Sequence, residues 1–130
     1  MLKRINPEGI HPPAPIYCHV VEDTTRGIVY IAGQVGFTRD GLLAGDDMAS
    51  QLRQLLANFD VILEELSLAR ADFVKRTVYV TDMDEYFTPE VRALMSAYFG
   101  ATISCSSLAQ VVRLFKPGVK IEIEAILHRP

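Results

Sequence analysis

The sequence contains only two cysteines, three histidines and no run of basic residues, and each of these scarcities excludes a class of protein. Cys18 and Cys105 form no CxxC motif and stand in no cysteine-rich context, which argues against a disulfide scaffold. We expect both cysteines to be reduced thiols that pack as small apolar side chains.

The charge balance argues against a nucleic-acid binder. The chain has 13 Lys and Arg residues against 16 Asp and Glu residues, a formal net charge of −3. Binding to nucleic acid needs a basic patch that neutralises phosphates, and the basic residues here are spread along the chain. We therefore expect no nucleic-acid partner.

Long apolar runs are missing as well. No stretch approaches the ~20 apolar residues that a membrane span needs, and the first residues lack the apolar core of a signal peptide. We expect a cytoplasmic protein with no membrane partner.

Motifs for metals and nucleotides are also missing. His11, His19 and His128 are isolated and do not have the ligand spacing of a zinc site. Gly41 and Gly45 fit neither of the common phosphate-loop patterns. The sequence therefore predicts no metal site and no cofactor.

What the sequence does contain is enough apolar material for one core. The 130 residues are 49% hydrophobic, which suffices for one domain and is too little for two of ordinary size. We predict a single domain over residues 1–130.

The amino-terminal part predicts an irregular arm followed by a hairpin. Four prolines interrupt residues 6–15, and proline cannot donate to a strand ladder. Residues 17–22 and 28–35 have the composition of strands and are joined by a polar turn. Gly33 lies inside the second strand, where a glycine indicates a bulge or a close backbone approach.

Two helices are predicted from periodicity and capping residues. Apolar residues recur at steps of three and four from Met48 to Leu66, after an aspartate suited to cap the helix. A second helix begins after Thr88 with Pro89 at its first position and ends at Gly100. Strands are expected at residues 73–81, in the segment before Lys116, and at residues 119–126, where polar and apolar residues alternate.

This order predicts an α+β fold with one mixed sheet and both helices on the same face. The other face of the sheet would then expose many Val, Ile and Tyr side chains, and association of several chains is the physical remedy. From composition and pattern alone we expect more than one subunit.

Four segments together resemble the Rid family, also called YjgF or L-PSP, over residues 5–128. They are Tyr17-Cys18-His19, Ala32-Gly33-Gln34-Val35, the strand segment from Thr77 to Met83, and the carboxy-terminal segment 116–126. The resemblance implies a chorismate mutase-like homotrimer with a barrel-like centre, and small-molecule clefts between subunits. It also implies hydrolysis of reactive imines or enamines to ketones and ammonia.

Carried over residue by residue, the resemblance predicts two catalytic groups. Tyr17 falls on the tyrosine that closes the family's pocket from the adjacent subunit, and Glu122 falls on the glutamate that helps to position the hydrolytic water. The arginine that grips a substrate carboxylate falls on Ser106, or on Ser107 with one residue of slack. Serine cannot reproduce the two parallel hydrogen bonds of a guanidinium, which predicts an altered substrate class.

The cleft is completed by Cys105, Ser106, Gly33 and Gln34 as substrate-binding residues. No other cation is a clear replacement for the carboxylate-binding arginine. Arg113 would point to the opposite face of a regular strand, and Arg76 could reach either face. Lys120 is expected to join Glu122 in a charge network.

Other interpretations remain open at this stage. Glu122 and Tyr17 are equally compatible with an ordinary interface, and a thiol dyad of Cys105 with His19 is the sharpest alternative chemistry. The protein as a whole is interpreted as an imine deaminase-like hydrolase or as a metabolite-binding trimer without turnover. An endoribonuclease or translation inhibitor, and a chorismate mutase, are less favoured because basic groups are few.

Overall fold

The computed structural model describes all 130 residues as one mixed six-stranded sheet with helices on one face. The strands are β1 Leu2–Ile5, β2 Val20–Asp23, β3 Ile28–Gln34, β4 Phe73–Val80, β5 Cys105–Gln110 and β6 Ile121–His128, and the helices are α1 Met48–Leu66, α2 Met83–Tyr86 and α3 Pro89–Phe99, with a 3₁₀ turn at Arg70–Asp72. The predicted α+β class is confirmed.

The last strand of the chain lies in the middle of the sheet. The strand order is β1-β2-β3-β6-β4-β5, and β4 and β5 form the one parallel pair. Because β6 is antiparallel to both β3 and β4, these two strands run in the same direction, and α1 makes the crossover that such a connection requires. Strand β6 can take a central position because its alternating residues serve a core face and an open face at once.

Helix α1 covers the core face as its periodicity predicts. Asp47 caps it by accepting a hydrogen bond from the Ser50 amide at 3.0 Å. Its buried stripe meets β4 and α3 in an aromatic cluster, where the ring of Phe73 lies 5.4 Å from both Phe59 and Phe99. Helices α1 and α3 therefore share one face of the sheet.

Three features of the fold differ from the sequence prediction. Strand β1 and helix α2 were not expected, and the first hairpin strand begins at Val20 instead of Tyr17. β1 has four mostly exposed residues and is held by backbone pairing to β2, so its sequence shows no alternation of apolar and polar residues from which a strand could be predicted. α2 is one turn capped by Asp82, too short to show a period. Tyr17 belongs to a turn whose amide bonds the Ala14 carbonyl.

The face of the sheet opposite the helices is uncovered. Tyr30 on β3 is 45% exposed there, and its register partner Ile126 is only half-buried. Apolar loop residues are more exposed still: Ile16, Ile103 and Val112 are each more than four-fifths accessible. None of the helices combines the length and apolar character needed to cross a membrane.

Gln51 of α1 ties the start of β6 to the rest of the molecule. Its fully buried amide nitrogen donates to the carbonyls of Gly45 and Gly118 at 3.0 and 2.8 Å. Its amide oxygen accepts from the Lys120 backbone at 2.8 Å. One side chain therefore satisfies three backbone groups from two separate loops.

We predict that Gln51→Leu lowers the free energy of unfolding by about 2–4 kcal/mol, because three backbone groups lose their partner in a site closed to water. Urea unfolding followed by circular dichroism measures the loss. Gln54→Leu, which removes one bond to Asn58 from a half-buried position, is the matched control and should cost less than about 1 kcal/mol. Equal losses for the two variants would contradict the bridging role.

Candidate functional site

The side chain of Glu122, a residue of β6, extends over the neighbouring strand β3 on the open face and lies directly against Gly33. A Cβ atom built on Gly33 would stand 2.3 Å from Oε2 of Glu122, so a larger residue at this position would displace the carboxylate. The pairing of β3 with β6 shifts register between Ile31 and Gln34, which places Gly33 in an irregular stretch. The glycine that the sequence marked as a bulge or close approach is both.

The Glu122 carboxylate is half-buried and has no hydrogen-bonded partner in the chain. Burial raises the pKa of its carboxyl above the usual range, and the charge of Glu124 raises that pKa further. The neighbouring tyrosine hydroxyl, from Tyr79, donates to Glu124 instead, at 3.0 Å. Glu122 is therefore a carboxylate that is free to accept a proton from a ligand or a water molecule.

Tyr17 packs against His19, which Gln34 at the end of β3 holds in place. The Tyr17 ring is 44% exposed and packs edge-on against His19 at 5.9 Å. His19 Nε2 donates to the His11 carbonyl at 2.8 Å, and since a carbonyl only accepts, Nδ1 must accept the bond from the Gln34 amide at 3.1 Å. The tyrosine thus rests on a buried histidine whose orientation is held at both ring nitrogens.

Two residues with predicted roles at this end of the sheet, Gln34 and His19, are buried within the single chain. Gln34 is fully buried and holds His19. His19 is only 1% exposed and lies near β3, whereas Cys105 is exposed on β5, the far edge strand. Within one chain the proposed dyad of Cys105 and His19 does not form, because β6 and β4 separate the two residues.

The amino-terminal arm is fastened to this cluster. His11, expected in a flexible segment, is 8% exposed and packs edge-on against His19 and Phe37 at 5.0 and 5.1 Å. Burial lowers the pKa of both histidines, and their proximity lowers that of His11 further. The arm lacks regular pairing as predicted, but a buried pair of neutral histidines holds it in place.

Ser106 lies on the other face of the sheet. It is the register partner of Arg76 on β4, on the side where Val78 and Val80 are buried beneath the helices. Cys105 is paired with Lys75 on the open face, two strands and about 10 Å from β6. Within one chain, neither residue is brought to Glu122.

Arg76 is the functional candidate that the sequence reading left without a role. Its Nη1 donates to the Ser104 hydroxyl at 2.6 Å, its guanidinium lies 4.2 Å over the Phe99 ring, and its buried Nε has no partner. Burial lowers the pKa of the guanidinium. The signal was available, since alternation along β4 puts Arg76 on the same face as Val78 and Val80.

The other cations lie elsewhere. Lys120 donates to Glu85 at 2.7 Å, so its predicted network with Glu122 is wrong. Arg113 follows the end of β5 and donates to the Leu114 carbonyl at 3.3 Å. The strand-face argument against Arg113 therefore does not apply, but its contacts give it no part in a site.

Two cavities flank the sheet near these residues. One, of about 390 Å³, lies on the open face and is lined by Lys75, Thr77, Glu124 and Tyr30 among others. The second, of about 360 Å³, lies on the helix side and contains Arg76 and Ser106. No group of three His, Cys, Asp or Glu side chains is placed to hold a metal ion.

Comparison with known proteins points to one family. The model of a family described as endoribonuclease L-PSP matches residues 10–128. A protein of Salmonella typhimurium named 2-iminobutanoate/2-iminopropanoate deaminase is 37% identical over 120 residues, covering 90% of this chain and 91% of the relative. A RutC family protein of Pyrococcus horikoshii is 32% identical over 118 residues, with the same coverage of each chain.

Solved structures agree with the sequence comparison. The crystal structure of the YjgF gene product of Escherichia coli superposes with a TM-score of 0.86 at 33% identity, covering 98% of this chain and 99% of the other. Escherichia coli TdcF, crystallised with bound serine, gives a TM-score of 0.86 at 28% identity and the same coverage.

The buried histidine pair makes stability depend on pH. Folding lowers the pKa of His11 and His19 from 6.5, so at acidic pH the unfolded chain binds more protons than the folded chain does. The free energy of unfolding therefore falls as the pH drops below about 6.5. We predict a falling urea midpoint between about pH 7.5 and 5.5. This slope should flatten in His19→Gln and persist in the control His128→Gln, whose side chain is exposed. A slope unchanged in His19→Gln would contradict this origin.

Proposed function

Because the chain belongs to the Rid family of endoribonuclease L-PSP-like proteins, we propose that it hydrolyses small imines or enamines to ketones and ammonia. The observation that carries the proposal is the unpartnered, half-buried carboxylate of Glu122 against Gly33. The deaminase named among its relatives supports the reaction class. The proposal keeps the cytoplasmic location and the absence of a cofactor that the sequence predicts.

In the proposed reaction Glu122 acts as the general base. Its carboxylate takes a proton from water while the water oxygen bonds to the imine carbon, and passes this proton to the nitrogen as the C=N double bond opens, which gives a neutral carbinolamine. Glu122 then takes the hydroxyl proton of the carbinolamine as the carbonyl forms and the C–N bond breaks, and passes it to the departing nitrogen, which leaves as ammonia. A raised pKa suits both steps, because it makes the carboxylate of Glu122 a stronger base than an ordinary glutamate.

The site needs a second chain to be complete. Glu122 and Gly33 form one half on the open face, Ser106 and Cys105 on the far edge strand form the other, and the family resemblance brings Tyr17 in from an adjacent chain. We propose a homotrimer in which each cleft joins the first half of one chain to the second half of its neighbour. The exposed apolar side chains of the arm and loops support such contacts.

Ser106 gives the proposed cleft a substrate class different from that of arginine-bearing relatives. A serine hydroxyl offers one donor and no charge at the position that the family resemblance assigns to the guanidinium. The net charge of −3 and the scattered basic residues support a small molecule over RNA as the ligand.

The first test is ammonia release from freshly generated 2-iminopropanoate and from a neutral imine. We predict that Glu122→Gln lowers kcat/KM by about 100-fold or more, because the amide cannot act as a base. Glu65→Gln, an exposed glutamate on α1, is the matched control and should keep the wild-type rate.

The results separate the proposed enzyme from its rival. If Glu122→Gln retains the wild-type rate, Glu122 is not the base. If the wild type releases no ammonia above the buffer rate from any imine, the proposal fails and a metabolite-binding protein without turnover takes its place.

The assembly is tested by light scattering after size exclusion. A trimer of 14.5 kDa chains has a mass of about 43.5 kDa (3 × 14.5). We predict that Val112→Glu shifts the protein toward smaller species, because a charge would replace a fully exposed apolar side chain at the proposed contact. Ala57→Glu, on the solvent side of α1, should leave the mass unchanged. A monomeric wild type would overturn the shared cleft.

A further inference from the structure

The helix-side cavity holds two arginines and no acid. It lies between β5 and the helices α2 and α3, with a volume of about 360 Å³. We call it the arginine pocket and define it by Arg76, Arg92, Tyr86, Phe99 and Ser106. No Asp or Glu lines it, so two positive charges share one cavity without a counter-charge.

Neither arginine finds its charge partner elsewhere. The five ion pairs of the chain use Arg26, Arg53, Arg70, Lys120 and Arg129. The Arg92 guanidinium lies 5.2 Å from the centre of the Phe87 ring and forms no hydrogen bond within the chain. The Arg76 side chain has one hydrogen bond, to a neutral serine, and its Nε is closed to solvent with no acceptor.

The burial of Arg76 Nε without an acceptor costs free energy. A guanidinium loses hydration on burial, and an anion with acceptor oxygens is the partner that restores it. Burial also raises the pKa of Tyr86, which keeps its hydroxyl protonated and able to donate. The cavity therefore presents donors and positive charge at one position.

The remaining wall is apolar and determines what kind of anion fits. Phe99, Met95, Leu108 and Ile103 line the cavity beside the arginines. A fully hydrated inorganic ion gains nothing from these surfaces, whereas an organic acid buries its hydrocarbon part against them. The volume lies at the lower end of the range for small-ligand pockets.

We propose that the arginine pocket binds the carboxylate of a small organic acid with an apolar side chain, gripped by Arg76 and Arg92. The ligand oxygens accept from the two guanidinium groups, and its apolar part lies against Phe99 and Leu108. Because Arg76 and Ser106 are register partners, the charge lies one strand away from position 106. Binding requires no turnover, so it does not depend on the proposed hydrolysis.

The test is calorimetric titration with sodium phenylacetate and with its neutral analogue phenylacetamide. Phenylacetate should bind, phenylacetamide should bind at least tenfold more weakly, and Arg76→Met should weaken phenylacetate binding by about 10- to 100-fold. Arg92→Met should also weaken it, and because Arg92 is exposed this variant keeps the test valid if Arg76→Met fails to fold. Arg39→Met, an exposed arginine in a loop away from the pocket, should bind as the wild type does.

Three results would overturn the proposal. The first is no phenylacetate binding to the wild type at concentrations up to about 10 mM. The second is equal binding of acid and amide, or full binding by both methionine variants. The third is a smaller assembly mass for Arg76→Met with no change in binding, which would assign Arg76 to a carboxylate of a neighbouring chain. Loss of ammonia release alone does not bear on this site.

Discussion

The pairing of the last strand between β3 and β4 is the constraint on which the rest of the structure depends. Strand β6 joins two halves of the sheet that have no other contact between strands, and its buried residues Ile121, Ile123 and Leu127 support α1. The same alternation sends Glu122 to the open face. The core residues and the candidate site residue therefore lie on opposite faces of the same strand. A substitution that shifts β6 for the sake of one face would also shift the residues on the other.

The polar residues fall into groups with distinct tasks. Gln34 and Gln51 are fully buried and satisfy other polar groups, and the buried His11 and His19 fasten the arm. These are structural roles in which every lost partner costs stability. Glu122 and Arg76 show the opposite pattern, since the half-buried carboxylate of Glu122 and the buried Nε of Arg76 lack partners within the chain. Unpaired charge in a partly dry site is the feature that indicates ligand chemistry.

The residues assigned to the proposed shared cleft lie on two opposed faces of the sheet and on one edge strand. Glu122 lies in the middle of the open face, whereas Ser106 and Arg76 lie on the helix side near β5. No rotation of side chains joins them, because the sheet itself stands between. The homotrimer proposed above would make one cleft from both, and the exposed apolar loops support such contacts.

The sequence by itself determined the elements with a strong period or cap: α1, α3, β3, β4 and β6, together with the close approach at Gly33. Tertiary structure alone decided what depends on neighbours distant in sequence. The four-residue elements β1 and α2 are too short to show a hydrophobic periodicity. Gln34 and His19, fifteen positions apart in sequence, form a hydrogen bond, and Lys120 pairs with Glu85 instead of Glu122. Alternation revealed the face on which Arg76 lies, but only the folded chain shows that no acid shares its cavity.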